Sequence, residues 1–188
     1  MSTPFQIAFA KGHTDAMWLL IVNGANVGDI GIASLHNASY EGRIDVMRLL
    51  MDQGIHVNAR DRFWRTPLHK ASSGNRTAAM KLLIAYGAKV NAGSSKGTSL
   101  HKASGLGHIN AMRLLIDHGA EINRKNYCGE TPLHCSAKGH VDAVRLLIEA
   151  GAKLNIKNHE GKIPLDCAMA HGCHNVAALL ERPRAKKQ

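Results

Sequence analysis

One pattern recurs six times along this chain of 188 residues, and the recurrence limits its fold more tightly than anything in its composition. The clearest copy is Thr98–Asn123, TSLHKASGLGHINAMRLLIDHGAEIN. Thr98 has the type and position of a helix N-cap, ahead of a short helical segment begun by Leu100, His101 and Ala103. Gly107-His108 breaks that segment. Asn110 opens a second one, with Ala111, Leu114 and Leu115 at the i, i+3, i+4 spacing of one buried helix face. Gly119 supplies a left-handed closing residue, and residues 120–123 lead away as an extended or turning finger. Such a unit has one apolar face and nothing of its own to bury it against, so it must stack on its own kind.

The chain provides the stack. Thr66-Pro67-Leu68-His69 leads to residues 80–84 and 87–91, and Thr131-Pro132-Leu133-His134 leads to residues 144–148 and 151–155. Weaker copies open at Thr3-Pro4-Phe5-Gln6, Ala33-Ser34-Leu35-His36 and Ile163-Pro164-Leu165-Asp166. Starts at 3, 33, 66, 98, 131 and 163 are spaced by 30, 33, 32, 33 and 32. The period and the T-P-L-H-x-A pattern resemble those of ankyrin repeats, from residue 3 to about 181. The resemblance implies an all-α solenoid of helix–turn–helix units joined by β-turn fingers. It also implies a structural role for Thr66, Pro67, His69, Thr98, His101, Thr131, Pro132 and His134, the histidine bonding the threonine hydroxyl and nearby backbone. We expect one repeat domain over residues 1–182 and a basic tail over 183–188.

Composition narrows the function. Only 4% of residues are aromatic, so the core is aliphatic. The longest apolar run, Ala16–Val22, is too short to span a bilayer, and no basic segment followed by a cleavable apolar one opens the chain, so a cytoplasmic location is expected. A nuclear location is added if Arg182–Lys187 acts as an import signal rather than a solvated tail. Cys128, Cys135, Cys167 and Cys173 are read as reduced thiols. The formal charge of +10 is spread over both halves and favours acidic partners.

Catalytic chemistry finds no footing. His36, His69, His101 and His134 fill one repeated slot and His13, His108 and His140 another, which marks them as architecture. Cys167, His171, Cys173 and His174 have the nearest approach to a zinc spacing, but Gly172 interrupts them and no second ligand pair follows. No phosphate-binding glycine loop and no nucleophile with an orienting base is present. We expect no enzyme activity and no cofactor.

Irregular positions carry the remaining expectations. Phe5, Ile7 and Phe9 make the first helix unusually apolar, and Trp18 stands where Arg48, Lys81, Arg113 and Arg145 stand elsewhere. The first repeat is therefore read as a frayed end, or as a surface on which Phe5, Phe9 and Trp18 dock a partner or a second copy of an otherwise monomeric chain. The first finger, residues 28–32, is short, and Ser34 is expected to cap the following helix. The second finger, residues 58–65, has Trp64 where Gly97, Gly129 and Gly161 stand, so tryptophan must take a positive φ or find another geometry. The third, residues 91–97, is built of small residues and reads as a flexible connector. The last helix is expected to stop at Pro183.

Family resemblance places binding on a concave groove of first helices and fingers. The variable positions there are Asn37, Tyr40, Lys70, Ser73, Lys102, Leu106, Cys135 and Lys138, with Arg60, Arg62, Phe63, Trp64, Arg65, Arg124, Lys125, Tyr127 and Glu130 on the fingers. Four of the eight aromatics fall in this set. The expected partner is an acidic or acidic–aromatic segment of another protein, not a small molecule and not a membrane. The second reading is nucleic acid held by the same basic groove and stacked on its aromatics.

Overall fold

The computed structural model describes residues 3–25 and 28–185, and these form twelve α-helices and no strand. The chain divides into two compact units, Met1–Ala88 and Lys89–Gln188. The first holds α1 (Pro4–Lys11), α2 (Thr14–Val22), α3 (Gly28–Glu41), α4 (Ile44–Asp52), α5 (Pro67–Ser73) and α6 (Thr77–Ala85). The second holds α7 (Ser99–Ser104), α8 (Ile109–Asp117), α9 (Pro132–Ser136), α10 (Val141–Glu149), α11 (Pro164–Ala170) and α12 (His174–Ala185). Each unit is a stack of three helix pairs.

The Thr-Pro-Leu-His slot explains where the first helices begin. Thr66, Thr98 and Thr131 are extended residues directly ahead of α5, α7 and α9. His101 Nδ1 accepts the Thr98 N–H at 3.2 Å and the Thr98 hydroxyl at 2.9 Å, while its Nε2 donates to the carbonyl of Glu130 at 3.1 Å. His134 repeats this with Thr131 and the carbonyl of Lys162. Each histidine is thereby held as the neutral Nε2–H tautomer, capping its own helix and pinning the next finger. The core behind is aliphatic: Leu35, Leu68, Leu100 and Leu133 from first helices, and Met47, Met80 and Met112 with Leu50, Leu83, Leu115 and Leu147 from second helices, are essentially inaccessible. Burial of each such side chain stabilises by about 1.5–3 kcal/mol.

Four local expectations need correction. The first finger does not exist as a finger: α3 runs from Gly28 to Glu41, and Ser34 lies buried inside it rather than capping it. Without Thr-Pro at 33–34 no residue halts the helix, so it propagates backward through the finger. One cost is visible at His36, whose Nε2 reaches the Ala59 carbonyl at 3.0 Å but whose buried Nδ1 has no partner, because Ala33 replaces the capping threonine. The third finger is a hydrogen-bonded turn, not a loose connector: Ser94 and Gly97 exchange backbone bonds of 2.9 and 3.1 Å, and the buried Ser94 hydroxyl donates to the Gly97 carbonyl at 2.7 Å. Pro183 does not end α12, which continues to Ala185. Proline's fixed φ is helical, and in a last turn the lost N–H bond disturbs little beyond it. Phe5 is buried and unavailable for docking, while Phe9 is half-buried under the Arg43 guanidinium, 4.6 Å from its ring centre.

The missing residue of the fifth repeat is absorbed by a short α9. In other repeats the residue opening the second helix donates to a carbonyl five positions back, as His108 does to Ala103; His140 instead donates to Ser136, four back. Gly139, at φ 137°, makes the tighter return possible. Asparagines tie successive pairs together within each unit. Asn58 donates to the Gly87 carbonyl at 3.2 Å, Asn91 to Gly119 at 2.9 Å and Asn123 to Gly151 at 3.4 Å. Asn91 and Asn123 also accept the N–H groups of Glu121 and Lys153.

Candidate functional site

The second finger owes its shape to Asp61. Its Oδ1 accepts the N–H groups of Phe63 and Arg65 at 2.9 and 3.0 Å, and backbone bonds from Trp64 N to Asp61 O and from Asp61 N to Arg65 O close the turn. Arg65 adds an ion pair to Asp61 Oδ2 at 2.7 Å. Partial burial opposes the charge on Asp61, but the Arg65 guanidinium and the two N–H groups overcome it and hold the carboxyl below its ordinary range. This turn requires a left-handed residue at position 64. Trp64 takes it, at φ 60°, with its side chain 65% exposed. A non-glycine residue there costs about 1–2 kcal/mol.

Around this strained residue the finger arranges cations on aromatic faces. Arg60 lies 5.3 Å from the Trp64 ring centre and donates to the Trp64 carbonyl at 2.9 Å. Arg62 and Arg65 lie 4.9 and 4.7 Å from the Phe63 ring centre, and Phe63 is 44% exposed. Both aromatics are exposed, each with arginine over its ring. In the same unit Tyr40 is exposed at the end of α3, its carbonyl accepting from Arg76 Nε, and Lys70 is half-buried on α5.

The second unit divides its predicted residues between two hollows. Lys102, Leu106, Cys135, Lys138 and Glu130 line a cleft of about 450 Å³, which Lys96 also enters. Lys138 pairs with Glu130 at 3.2 Å, leaving the cleft with more positive than negative side chains. Burial works against the Glu130 carboxylate, yet bonds from Lys138 and Asn126 keep its carboxyl below the ordinary range. Burial, with Glu130 nearby, pushes the Cys135 thiol up to about 12, so it lines the cleft as a small apolar group. Arg124, Lys125 and Tyr127 border a different hollow of about 190 Å³. Arg124 pairs with Glu121, Lys125 donates to the Lys157 carbonyl, and Tyr127 is 78% exposed.

Sequence reasoning missed Asp61 and its counterparts. Asn126 and Asn158 organise their fingers in the same way, each accepting two backbone N–H groups. All three stand five residues before a repeat start, a regularity open to inspection. Lys96, on the one finger with a displaced register, gave no such signal. In the Cys167–His174 stretch, read above as unsuited to zinc, Cys167 is buried and His171 Nδ1 is engaged by the Cys167 carbonyl at 2.8 Å. Among the described residues no group of three or more histidine, cysteine or acidic side chains is placed to hold a metal, and no helix is long and apolar enough to cross a membrane.

Comparison with known proteins agrees with this geometry. Family models described as ankyrin repeats match residues 35–84, 61–126 and 115–168. No curated protein matches the chain.

Proposed function

Since the chain belongs to the ankyrin repeat family, whose members are generally protein–protein interaction modules and typically non-catalytic, we propose that it is an adaptor or regulatory subunit anchored on its partner by the second finger. The observation that carries this reading is Trp64: a large aromatic kept at a strained, exposed position where glycine would serve the turn better. Strain retained at a surface is a mark of function, and tryptophan and arginine dominate interface energetics. Three arginines against one aspartate give the finger a positive balance, so the partner is an acidic or acidic–aromatic segment. The cleft beside Lys102, Leu106 and Lys138 extends the same chemistry in the second unit. The module works in the cytoplasm.

Trp64→Gly tests this without disturbing the fold. Relief of the left-handed strain offsets the lost cation–π contact, so stability changes by no more than about 1 kcal/mol. In pull-downs at two salt concentrations, wild type retains a defined protein regardless of nuclease treatment, and the variant loses it. Bound material that is nuclease-sensitive and shed at moderate salt would show instead that the arginines read phosphate.

A further inference from the structure

The cleft of the second unit has two unlike walls. The third finger and α7 supply Lys96 and Lys102, both exposed, and neither meets a carboxylate among the described residues. The fourth finger and α9 supply Glu130, Cys135 and, just beyond the helix, Lys138. Glu130 is wholly committed there: Lys138 reaches its Oε1 at 3.2 Å and Asn126 Nδ2 its Oε2 at 3.3 Å. Two further acceptors of the lining are spent as well. Asn126 Oδ1 takes the N–H groups of Cys128 and Glu130, and His101 Nδ1 takes the N–H and the hydroxyl of Thr98. A basic ligand finds these acceptors occupied, whereas an acidic one finds two ammonium groups without a counter-charge. Apolar lining comes from Leu106, 40% exposed, and from the uncharged Cys135 thiol.

We propose that this cleft receives an aspartate or glutamate of the partner together with an apolar side chain beside it in sequence, Lys96 and Lys102 holding the carboxylate and Leu106 and Cys135 the apolar group. This rests on the reading of the chain as a binder of acidic segments, and adds which acidic segments it takes. Charge identifies the occupant. The lining carries three lysines against one glutamate, and the two unpaired lysines repel each other until an anion joins them. The neighbouring apolar group is required by energetics. Exposed lysine–carboxylate pairs are individually weak, so a carboxylate alone gains little, and contact with Leu106 supplies the rest by removing apolar surface from water. Glu130 is a positioning residue: it occupies Lys138, so the incoming carboxylate is drawn to the Lys96 and Lys102 wall.

The test is fluorescence anisotropy of the full chain with short labelled peptides that alternate glutamate and leucine, glutamine and leucine, or glutamate and serine. The first is expected to bind at least about tenfold more tightly than the other two. Lys96→Gln with Lys102→Gln should weaken it about tenfold, and Lys81→Gln with Lys153→Gln, which removes the same charge elsewhere, by less than about threefold. All of these lysines are exposed, so the fold is kept, and circular dichroism verifies it. The proposal is overturned if wild type binds none of the peptides, or if either control peptide binds as tightly as the first. It is also overturned if the charge-matched replacements cost as much as those in the cleft. Trp64→Gly separates this site from the second finger and should bind the peptide as wild type does. A peptide lost by Trp64→Gly and kept by the cleft variant overturns the role of the cleft and leaves that of the second finger standing.

Discussion

In residues 61–65 and in residues 126–130 a side-chain oxygen takes the same two backbone N–H groups, and the same pair of backbone bonds closes the turn. One turn carries Trp64 at φ 60°, the other Gly129 at φ 73°. The oxygen at the first position therefore sets the conformation, and the left-handed residue is a separate choice. At Gly129 that choice is closed. A Cβ there would lie 2.6 Å from His159 Cδ2 and 2.8 Å from His159 N, whose N–H donates to the Cys128 carbonyl. The fourth finger is packed against the next one and must stay bare, whereas at Trp64 the side chain leaves into solvent. Uniform fingers serve stacking; the exception is where recognition can be placed.

The comparison can be broken most forcefully at Gly129. Gly129→Ala adds left-handed strain to a backbone collision, and should cost the second unit about 3 kcal/mol in urea unfolding. A loss under about 1 kcal/mol would mean that the finger moves freely and that packing does not exclude side chains there. Next comes the organising oxygen. Asp61→Ala removes the oxygen that accepts two backbone N–H groups and also the ion-pair partner of Arg65, and should destabilise by about 2 kcal/mol, against about 1 kcal/mol for Asn126→Ala. Hydrogen exchange of residues 61–65 and 126–130 reads this locally; equal effects would strip Arg65 of its part in the second finger.

The smallest effect is set by pH. Burial lowers the pKa of His36, His101 and His134, against the opposing pull of the carbonyls they contact. A folded-state pKa below the unfolded value near 6.5 means that stability is complete above about pH 6.5 and is lost as pH falls through the folded value. The slope is at most about 1.4 kcal/mol per pH unit for each histidine. Protonated His101 would set a second N–H against the Thr98 N–H, a conflict absent at His36. Residues 126–130 should therefore lose exchange protection at higher pH than residues 58–65. The reverse order would show that the threonine contact does not fix the tautomer.

Much of this was legible because the repeat compares the chain with itself. Asn75 takes φ 53° where other repeats use glycine, as its side chain permits, and the choice put to Trp64 was visible from three glycines in the same slot. The backward growth of α3 was hidden, although its cause was in view: absent Thr-Pro was read as a weaker start, not as a missing stop. Ser94 escaped notice because small residues describe flexible and tightly bonded turns alike. The two-hollow division of Lys102, Leu106 and Lys138 from Arg124, Lys125 and Tyr127 depends on side-chain direction across a finger, which periodicity does not carry.

The asparagine ties have a mechanical meaning. Asn91 and Asn123 each clasp the following helix pair by both faces of one amide, donating to a helix-closing glycine and accepting from a neighbouring backbone N–H. Tension applied at the ends would load these clasps in series. Each is short-ranged and brittle, while the leucine core behind it yields gradually, so a pulled chain should give way in discrete, similar steps. A partner that draws on one finger would then meet a spring that lengthens by whole repeats.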